Sequence, residues 1–350
     1  MENKTIRFGI IGTGDSARIH LEALKSVEGV QIAGIAGEYE NEVSSLANQF
    51  NIAWSASSAK ELATSQEIDA LIIAVPPFIQ PDLAILAFKN KKHVLCEKPL
   101  AVTVEDSKAI VDAGRKSGCV GMVNLCFRLI PRFQEFKTRL ANGDCGKLHS
   151  IDAQWILSNR LNPSLTFHWK GQSELGGGVL QNFGSHVLDF LFYDIDQMKL
   201  LKAKQNILTP LRYDDTGNQR QITGDEETIA AFEVGDNFLV NLHLSLVAKE
   251  AIGYRIIAKG DKGTLEIKNA GPNLHAGPFS LWFYEENDSQ GKCLSSDDKN
   301  EEYSRQGLFS KIHKLFIEAI NNNDKNVEPS LESGLKVSKL IAAIQEASGQ

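Results

Sequence analysis

The residues best suited to chemistry in this 350-residue chain are the consecutive Glu97, Lys98 and Pro99, which follow the apolar stretch 93–96. A lysine is seldom buried unless it is paired, and the neighbouring carboxylate offers a partner. Pro99 fixes the local backbone and disfavours helical geometry at Lys98. An ammonium held in such a turn can donate to a substrate oxygen and stabilise the charge that develops on it. A plain surface turn is the alternative interpretation.

A second candidate site is the turn Gly12-Thr13-Gly14-Asp15-Ser16-Ala17, which lies between a strand-like stretch at 6–11 and a helical pattern. In this setting Gly12 allows a tight turn, Gly14 lets a pyrophosphate approach the backbone, and the small Ala17 lets helix and strand pack closely. The helix N-terminus favours an anion. The turn predicts a dinucleotide site, and together with Lys98 it indicates hydride transfer. A glycine turn in an unrelated α/β protein is the alternative.

The residue that would contact the cofactor ribose is expected at the end of the second strand, and Glu38 lies there. Its carboxylate can accept from ribose hydroxyls and would repel a 2′-phosphate, and no Arg or Lys lies nearby in the sequence. The sequence therefore favours NAD over NADP, with NADP still possible. The alternative is that Glu38 simply begins an exposed acidic helix.

Strand-like and helix-like stretches alternate through residues 1–124, and short apolar runs at 70–75 and 93–96 are typical of strands covered on both faces. Alternation of this kind predicts βαβ units and a doubly wound parallel sheet, a Rossmann domain. Ligands of such sheets bind beyond the carboxyl ends of the strands. Cofactor contacts are therefore expected from residues after three strand ends: the glycine turn, Val75-Pro76-Pro77, and Glu97 with Lys98.

The pattern changes in residues 125–350, where apolar and polar residues alternate at 240–246 with the period of a half-buried strand. Further short strands predict a second, α+β domain built on a large, mostly antiparallel open sheet with helices on one face. Another subunit is the expected cover for the other face, so a homodimer or homotetramer is predicted. The polar segment 293–302 is predicted to be a solvated loop.

Composition limits the classes of partner. The net charge of -7 argues against nucleic acid, and no basic run suggests a membrane surface. Neither a leader segment nor a membrane-spanning segment is expected from the sequence. Five cysteines without a Cys-x-x-Cys pair favour a reducing compartment, for which the cytoplasm is the default, and they give no metal signature.

Several motifs, in order along most of the chain, resemble those of the glucose–fructose oxidoreductase / inositol dehydrogenase (Gfo/Idh/MocA) family. They are Ala74-Val-Pro-Pro77, His93-Val-Leu-Cys-Glu-Lys-Pro-Leu100, Phe127-Arg128 with Pro131, Trp169-Lys170, and Gly176-Gly-Gly178 leading to Gly184-Ser-His186 and Asp189. The resemblance implies a Rossmann domain, a second α+β domain used for oligomer contacts, and oxidation or reduction of a polyol or sugar hydroxyl.

The resemblance also implies roles for individual residues. Lys98 matches the lysine that contacts substrate and nicotinamide, and His186 matches the catalytic histidine. Where the family often has an aspartate, this chain has Asn182, which can orient a hydroxyl but cannot take its proton. If a helix follows Gly176–Gly178, Asn182 and His186 share a face. The implied substrate-binding residues are Lys98, Arg128, Trp169, Lys170, Asn182 and His186.

One departure from the family pattern is Gln80, which stands where the family has a histidine and weakens inference about cofactor contacts there. Two other functions stay open on the same fold. The first is a non-catalytic NAD(P)-bound regulatory or sensor protein. The presence of Asn182 in place of the family's aspartate is the residue-level reason for this alternative. The second is an enzyme that uses tightly held NAD to drive elimination or epimerisation.

Overall fold

A computed structural model describes residues 5–162, 164–235, 238–269, 278–297 and 304–349. The chain divides into two compact units. The first comprises the described residues of Met1–Cys126 together with Arg305–Ser338, and the second comprises those of Phe127–Ser304 and Lys339–Gln350. Residues 305–338, which the sequence analysis places in a domain at 125–350, thus pack with the first unit.

The first unit is built on a five-stranded parallel sheet in the order β2-β1-β3-β4-β5. Its strands are β1 (Ile6–Ile11), β2 (Val30–Ala36), β3 (Ala70–Ile73), β4 (His93–Cys96) and β5 (Gly121–Val123). Helices α1 (Asp15–Leu24), α2 (Glu40–Phe50), α3 (Ala59–Thr64), α4 (Gln80–Lys89) and α5 (Val104–Ser117) alternate with them. The predicted doubly wound fold is confirmed.

The apolar runs that predict the central strands are buried throughout. All four residues of β3 and the last three of β4 are buried, because helices cover both faces of a parallel sheet. Each fully buried aliphatic side chain of this kind contributes about 1.5–3 kcal/mol to folding. Lys91, just before β4, has a φ of 60°, a conformation that favours glycine.

The second unit contains an eight-stranded sheet in the order β15-β14-β13-β12-β6-β11-β10-β7. The strands are β6 (Leu148–Ile156), β7 (Met198–Asn206), β8 (Leu211–Tyr213), β9 (Gln219–Gln221), β10 (Glu227–Val234), β11 (Phe238–Ser245), β12 (Gly253–Gly260), β13 (Thr264–Asn269), β14 (Phe279–Tyr284) and β15 (Lys292–Ser296), of which β8 and β9 form a separate hairpin. β6 and β11 pair parallel, and the other neighbours in the large sheet pair antiparallel. The predicted large, mostly antiparallel sheet is confirmed.

The two faces of the large sheet differ in their cover. Helices α6 (Pro131–Ala141) and α7 (Ser185–Phe192) belong to this unit, and α6 packs against β13 and β14. Val240, Leu242 and Leu244 of β11 are buried, whereas Leu239 and Asn241, which alternate with them, are exposed. Along β11, the alternation that the sequence predicts therefore gives one buried face and one exposed face among the described residues of this unit.

Two elements differ from the sequence-based expectation. Part of the predicted loop 293–302 is the edge strand β15, whose polar side chains suit an edge that pairs through its backbone with β14; residues 298–302 lie outside the described residues. Helix α8 (Arg305–Asn322) was not predicted, and it packs against α1. The chain then continues into α9 (Leu331–Ser348).

Two features are absent from the described ranges of the chain. None of the helices there is both long enough and apolar enough to cross a bilayer. No cluster of three or more His, Cys, Asp or Glu side chains in those ranges could hold a metal ion.

Candidate active site

The segments predicted to bind a cofactor follow neighbouring strands of the parallel sheet. The glycine turn begins directly after β1, Val75-Pro76-Pro77 lies just after β3, and Glu97 follows β4. Because β1, β3 and β4 are adjacent and parallel, their carboxyl ends lie at one edge, where ligands of such sheets bind.

The glycine turn has the geometry that a dinucleotide requires. Gly12 has a φ of 123°, and a Cβ atom there would lie 2.2 Å from the carbonyl oxygen of Ala74, so only glycine fits. Gly14 precedes α1, and a Cβ atom there would meet no other atom within 4 Å, so the backbone faces open space. No side chain caps α1 at Gly14, and Ala17 is fully buried. The open space above unpaired helix N–H groups fits a pyrophosphate.

Other residues of the turn have separate contacts. The Thr13 hydroxyl donates to the Glu42 carboxylate on α2. Glu38 is exposed and lies two residues after β2, and α2 begins only at Glu40. The alternative that Glu38 begins a helix is therefore not what the structure shows, and its carboxylate stays available at the strand end where a ribose contact is predicted.

Lys98 lies half-buried in a segment whose backbone is held by the buried side chain of Gln80. The Gln80 Oε1 atom accepts from the backbone N–H of Glu97 at 3.0 Å. Its Nε2 atom donates to the carbonyl oxygens of Glu97 and Leu100, both at 2.8 Å, and lies 3.2 Å from that of Pro99. Gln80 therefore fixes the turn around Lys98, which accounts for the departure at this position without a cofactor contact.

The Glu97 side chain points into the protein. One carboxylate oxygen accepts from Asn124 Nδ2 at 2.8 Å and from His20 Nε2 at 3.0 Å, and the other accepts from the backbone N–H of Lys98 at 3.1 Å. Burial opposes ionisation, but hydrogen bonds from His20 and Asn124 and the charge of Lys98 hold the pKa of Glu97 below its usual value. A direct cofactor contact by Glu97, as predicted, stays a prediction; the observed contacts join it to Lys98.

In the second unit, the glycines 176–178 start the helical segment that contains Asn182 and His186. Gly178 has a φ of 101° and, like Gly176 at 79°, takes a conformation that favours glycine. A Cβ atom on Gly177 would lie 2.6 Å from the backbone of Lys170, and one on Gly178 would lie 2.0 Å from a carboxylate oxygen of Asp225. The close approach that these glycines permit is thus to the protein itself.

Asp225 holds the start of that segment. Its carbonyl oxygen accepts from Val179 N–H at 2.8 Å and its carboxylate accepts from Leu180 N–H at 3.1 Å, so it caps first-turn donors of a helix from another part of the chain. Burial raises the pKa of Asp225 to about 6, against the hydrogen bonds from Thr228 and Leu180 that lower it.

The predicted continuous α-helix begins instead with a π-helical turn, Leu180–Gly184, followed by α7. Turns of this kind are rare and often occur at functional sites. Asn182 lies in the turn, and its Nδ2 atom donates to the carbonyl oxygen of Gly178 at 2.8 Å. His186 lies in the first turn of α7, is 8% exposed, and stacks on Phe127 with ring centroids 4.1 Å apart and planes at 14°.

Arg128 is held by a buried ion pair. Its Nε and Nη2 atoms donate to the two oxygens of Asp189 at 2.7 and 2.6 Å, and its guanidinium lies 4.5 Å from the ring centroid of Tyr193. Bidentate pairs of this type are strong and directional. The pair joins the segment after Phe127 to α7, so Arg128 has a structural role there, and a substrate contact by it stays a prediction.

Trp169 and Lys170 form a short helical turn in the second unit. Trp169 is half-buried and Lys170 is exposed, and the Lys170 carbonyl oxygen accepts from Gly178 N–H at 2.9 Å. The backbone of Lys170 therefore supports the glycine segment. Substrate binding by either side chain stays a prediction.

Sequence reasoning missed His20, Asn124, Asp225 and His313, and it read Gln80 only as a departure from a family pattern. His20 lies within the apolar stripe of α1, and a polar residue at such a position could have indicated a buried side chain with a specific partner. The others are placed, each within its own unit, by contacts between distant parts of the chain, and local spacing gives no sign of these contacts.

Comparison with protein-family models gives two matches. A model described as the oxidoreductase family, NAD-binding Rossmann fold, matches residues 6–125, and one described as the oxidoreductase family, C-terminal alpha/beta domain, matches residues 137–350.

Individual relatives are distant in sequence and close in fold. An uncharacterized oxidoreductase of Synechocystis is 27% identical over 75% of this chain and 72% of its own length. Glucose-6-phosphate 3-dehydrogenase of Bacillus subtilis is 24% identical over 77% of this chain and 76% of its own length. A solved structure of levoglucosan dehydrogenase with NADH and L-sorbose is 20% identical, covers 99% of this chain and 97% of its own, and has a TM-score of 0.86.

The two family models cover the glycine turn, the Lys98 segment and the His186 segment, and the turn has the shape that a dinucleotide needs. This chain therefore belongs to the Gfo/Idh/MocA oxidoreductase family and has that family's NAD-binding Rossmann domain.

Proposed function

We propose that this chain is an NAD(P)-dependent dehydrogenase or reductase, with NAD the favoured cofactor, acting on a CH–OH group of a sugar, inositol or nucleotide sugar. The observation that supports it most is the position of Lys98, held after β4 at the sheet edge where the glycine turn follows β1. Two relatives are named glucose-6-phosphate 3-dehydrogenase and levoglucosan dehydrogenase, which supports a sugar as substrate.

The proposed chemistry divides between the cofactor and the side chains. The nicotinamide, when bound, supplies or accepts the hydride. Lys98 donates to the substrate oxygen and stabilises charge on it, while His186 exchanges the hydroxyl proton. Asn182 can orient a hydroxyl but cannot take a proton, so proton transfer falls on His186. Gly12 to Ala17 would hold the pyrophosphate and Glu38 the ribose.

The test is a substrate panel of sugars, inositols, sugar phosphates and nucleotide sugars, offered with NAD⁺ and with NADP⁺ and followed by the absorbance of reduced nicotinamide. Oxidation of at least one member with NAD⁺ is expected. Tight NAD⁺ binding without turnover on the whole panel would instead support the regulatory alternative. Cofactor that stays bound through purification, with product but no net reduced nicotinamide, would support elimination or epimerisation.

Glu38→Ser is expected to weaken the preference for NAD⁺ over NADP⁺ by roughly tenfold in the ratio of dissociation constants. The reason is that one charge pair at about 4 Å contributes roughly 1 kcal/mol in water, and a 2′-phosphate carries more than one charge. Fluorescence titration with both reduced cofactors measures the ratio. Glu40→Ser, at an exposed position two residues further on, is the matched control. An equal change in both variants would show that general charge, and not Glu38, sets the preference.

We also propose a homodimer or homotetramer that forms through the open face of the large sheet. Exposed Ile229 on β10 and Leu239 on β11, 48% and 45% accessible, support this because apolar side chains on an open sheet face favour a partner. Light scattering is expected to give two or four times the 38.5 kDa chain mass, and Ile229→Lys with Leu239→Lys to lower it. A monomeric mass for the unsubstituted protein would contradict the proposal.

A cytoplasmic location is the further part of the proposal. It is supported by the five cysteines, all of which lie in the described ranges and none of which is in a disulfide.

A further inference from the structure

We propose that His20 and His313 are positioning residues for Lys98, acting through a directed set of hydrogen bonds that runs from His313 to His20 to Glu97. Glu97, His20 and His313 are called the buried histidine array below. The inference deepens the proposed function and rests on it, because it assigns residues that hold Lys98 in place for the same reaction.

The array is continuous and closed to solvent. His20 Nε2 lies 3.0 Å from a Glu97 carboxylate oxygen, and His20 Nδ1 lies 2.8 Å from His313 Nε2. Both histidines are 0% exposed, and Glu97 is 7% exposed. The three residues come from α1, from the turn after β4 and from α8, so the array joins parts of the chain that are 293 residues apart.

The direction of the hydrogen bonds follows from the far end of the array. Within the described part of the chain, His313 Nδ1 is buried and has no hydrogen-bond partner. If His313 donates from Nε2, its Nδ1 atom is a bare acceptor; if Nε2 accepts, a neutral ring must leave an N–H buried without a partner. Buried unpaired N–H groups are the rarer defect. Burial holds the pKa of His313 well below its usual value, so the ring is neutral.

His20 then accepts at Nδ1 and donates from Nε2 to Glu97, which receives a hydrogen bond of fixed direction. The other Glu97 oxygen accepts from the backbone N–H of Lys98. Gln80 holds the backbone of Glu97 and Leu100 in the same turn. The lysine is thus fixed through its backbone on one side by Gln80 and on the other by the array.

The array also joins Lys98 to the cofactor-binding helix. α1 begins at the glycine turn, and His20 lies on the same helix, five residues after Asp15. α1 would bind the pyrophosphate at its start, and it contacts Glu97 further along through His20. The helix therefore keeps a constant distance between the pyrophosphate site and the Lys98 segment. Small misplacements of a reacting group cost large factors in rate, so such a support would act on kcat more than on cofactor binding.

His313→Met and His313→Gln separate hydrogen bonding from space filling. Methionine keeps an apolar side chain of comparable length and donates nothing, whereas glutamine can place an N–H near the former Nε2 atom. We expect His313→Met to lower kcat by roughly tenfold with the dissociation constant of NADH unchanged, and His313→Gln to restore most of the rate. Steady-state kinetics on a substrate found in the panel, with NADH titration, measure both quantities.

Phe309→Leu is the matched control, because Phe309 lies on α8 and packs against the same His20 ring with centroids 4.5 Å apart, but makes no hydrogen bond to it. It should leave kcat near that of the unsubstituted protein. A loss in Phe309→Leu or His313→Gln equal to that in His313→Met would show that the array only fills space, and an unchanged rate in His313→Met would overturn the proposal.

A measurement without turnover distinguishes failure of this inference from failure of the proposed function. Nitrogen NMR of the histidine side chains should show the proton of His313 on Nε2 and a bare Nδ1. The opposite tautomer would overturn the direction of the array whatever the enzyme does. If the tautomers are as expected but no substrate is oxidised, the array stands as a structural support and the dehydrogenase proposal fails.

Discussion

Lys98→Met is expected to lower kcat by roughly a hundred- to a thousandfold, since removing one preorganised donor to a developing charge typically costs this much. The methionine keeps most of the apolar stem of lysine and removes the ammonium. The contacts of the segment are made by Gln80 and by the Glu97 carboxylate with the backbone of Lys98, so the turn should keep its shape. Turnover on the best substrate of the panel is the measurement.

The dissociation constant of NADH should change little in Lys98→Met, because the pyrophosphate and ribose contacts are assigned to other strand ends. Lys89→Met, at an exposed position near the end of α4, removes the same charge from the same unit and is the control. A loss of NADH binding that matches the loss of rate would show that Lys98 serves the cofactor alone. An unchanged rate would remove Lys98 from the mechanism.

The sheet edge that carries the candidate residues of the first unit was predictable because parallel strands have a strong sequence pattern. Continuous apolar runs at 70–75 and 93–96 identify strands covered on both faces, and the polar residues that follow must then lie at one edge. That reasoning placed Gly12, Pro76 and Lys98 at strand ends. It says nothing about which side chain supports which, because support depends on contacts across the sheet.

Gln80 shows this limit. Its sequence context, shortly after two prolines, gives no reason to expect a buried amide that contacts the backbone seventeen residues later.

His313 shows another limit of prediction from the sequence. Leu308, Ile312 and Phe316 have helical spacing that could have identified α8, but His313 lies beside this stripe and its partner His20 is near the start of the chain. Pairing over such a distance is a property of the folded chain.

The second unit was predictable at the level of its sheet and less so at its candidate residues. Alternation at 240–246 correctly predicts that Val240, Leu242 and Leu244 of β11 are buried, although Ser245, a polar position in the pattern, is buried as well. The helix bearing His186 was expected to be regular, but Asp225, forty-five residues beyond Leu180, holds its first turn, which is π-helical. The same turn gives Asn182 a bond to the Gly178 carbonyl oxygen, so the amide at this position has a structural use.

His186→Gln is expected to lower kcat by roughly a hundredfold or more, the usual contribution of a positioned general acid–base group, and to remove the limb of the pH–rate profile that the imidazole produces. Loss of the stacking on Phe127 should cost about 0.5–1.5 kcal/mol, too little to unfold a domain of this size. Thermal unfolding checks that the fold is kept, and pH-dependent kinetics give the result.

His149→Gln is the matched control for that substitution, because His149 is an exposed histidine on β6 of the same unit. Its rate and pH profile should be those of the unsubstituted protein. Asn182→Asp places a carboxylate, which can take a proton, beside His186. Because an aspartate cannot donate to the Gly178 carbonyl oxygen, this substitution should also weaken the π-helical turn. If His186→Gln keeps the full rate, proton transfer does not depend on the imidazole, and the assignment of His186 as the acid–base group is wrong.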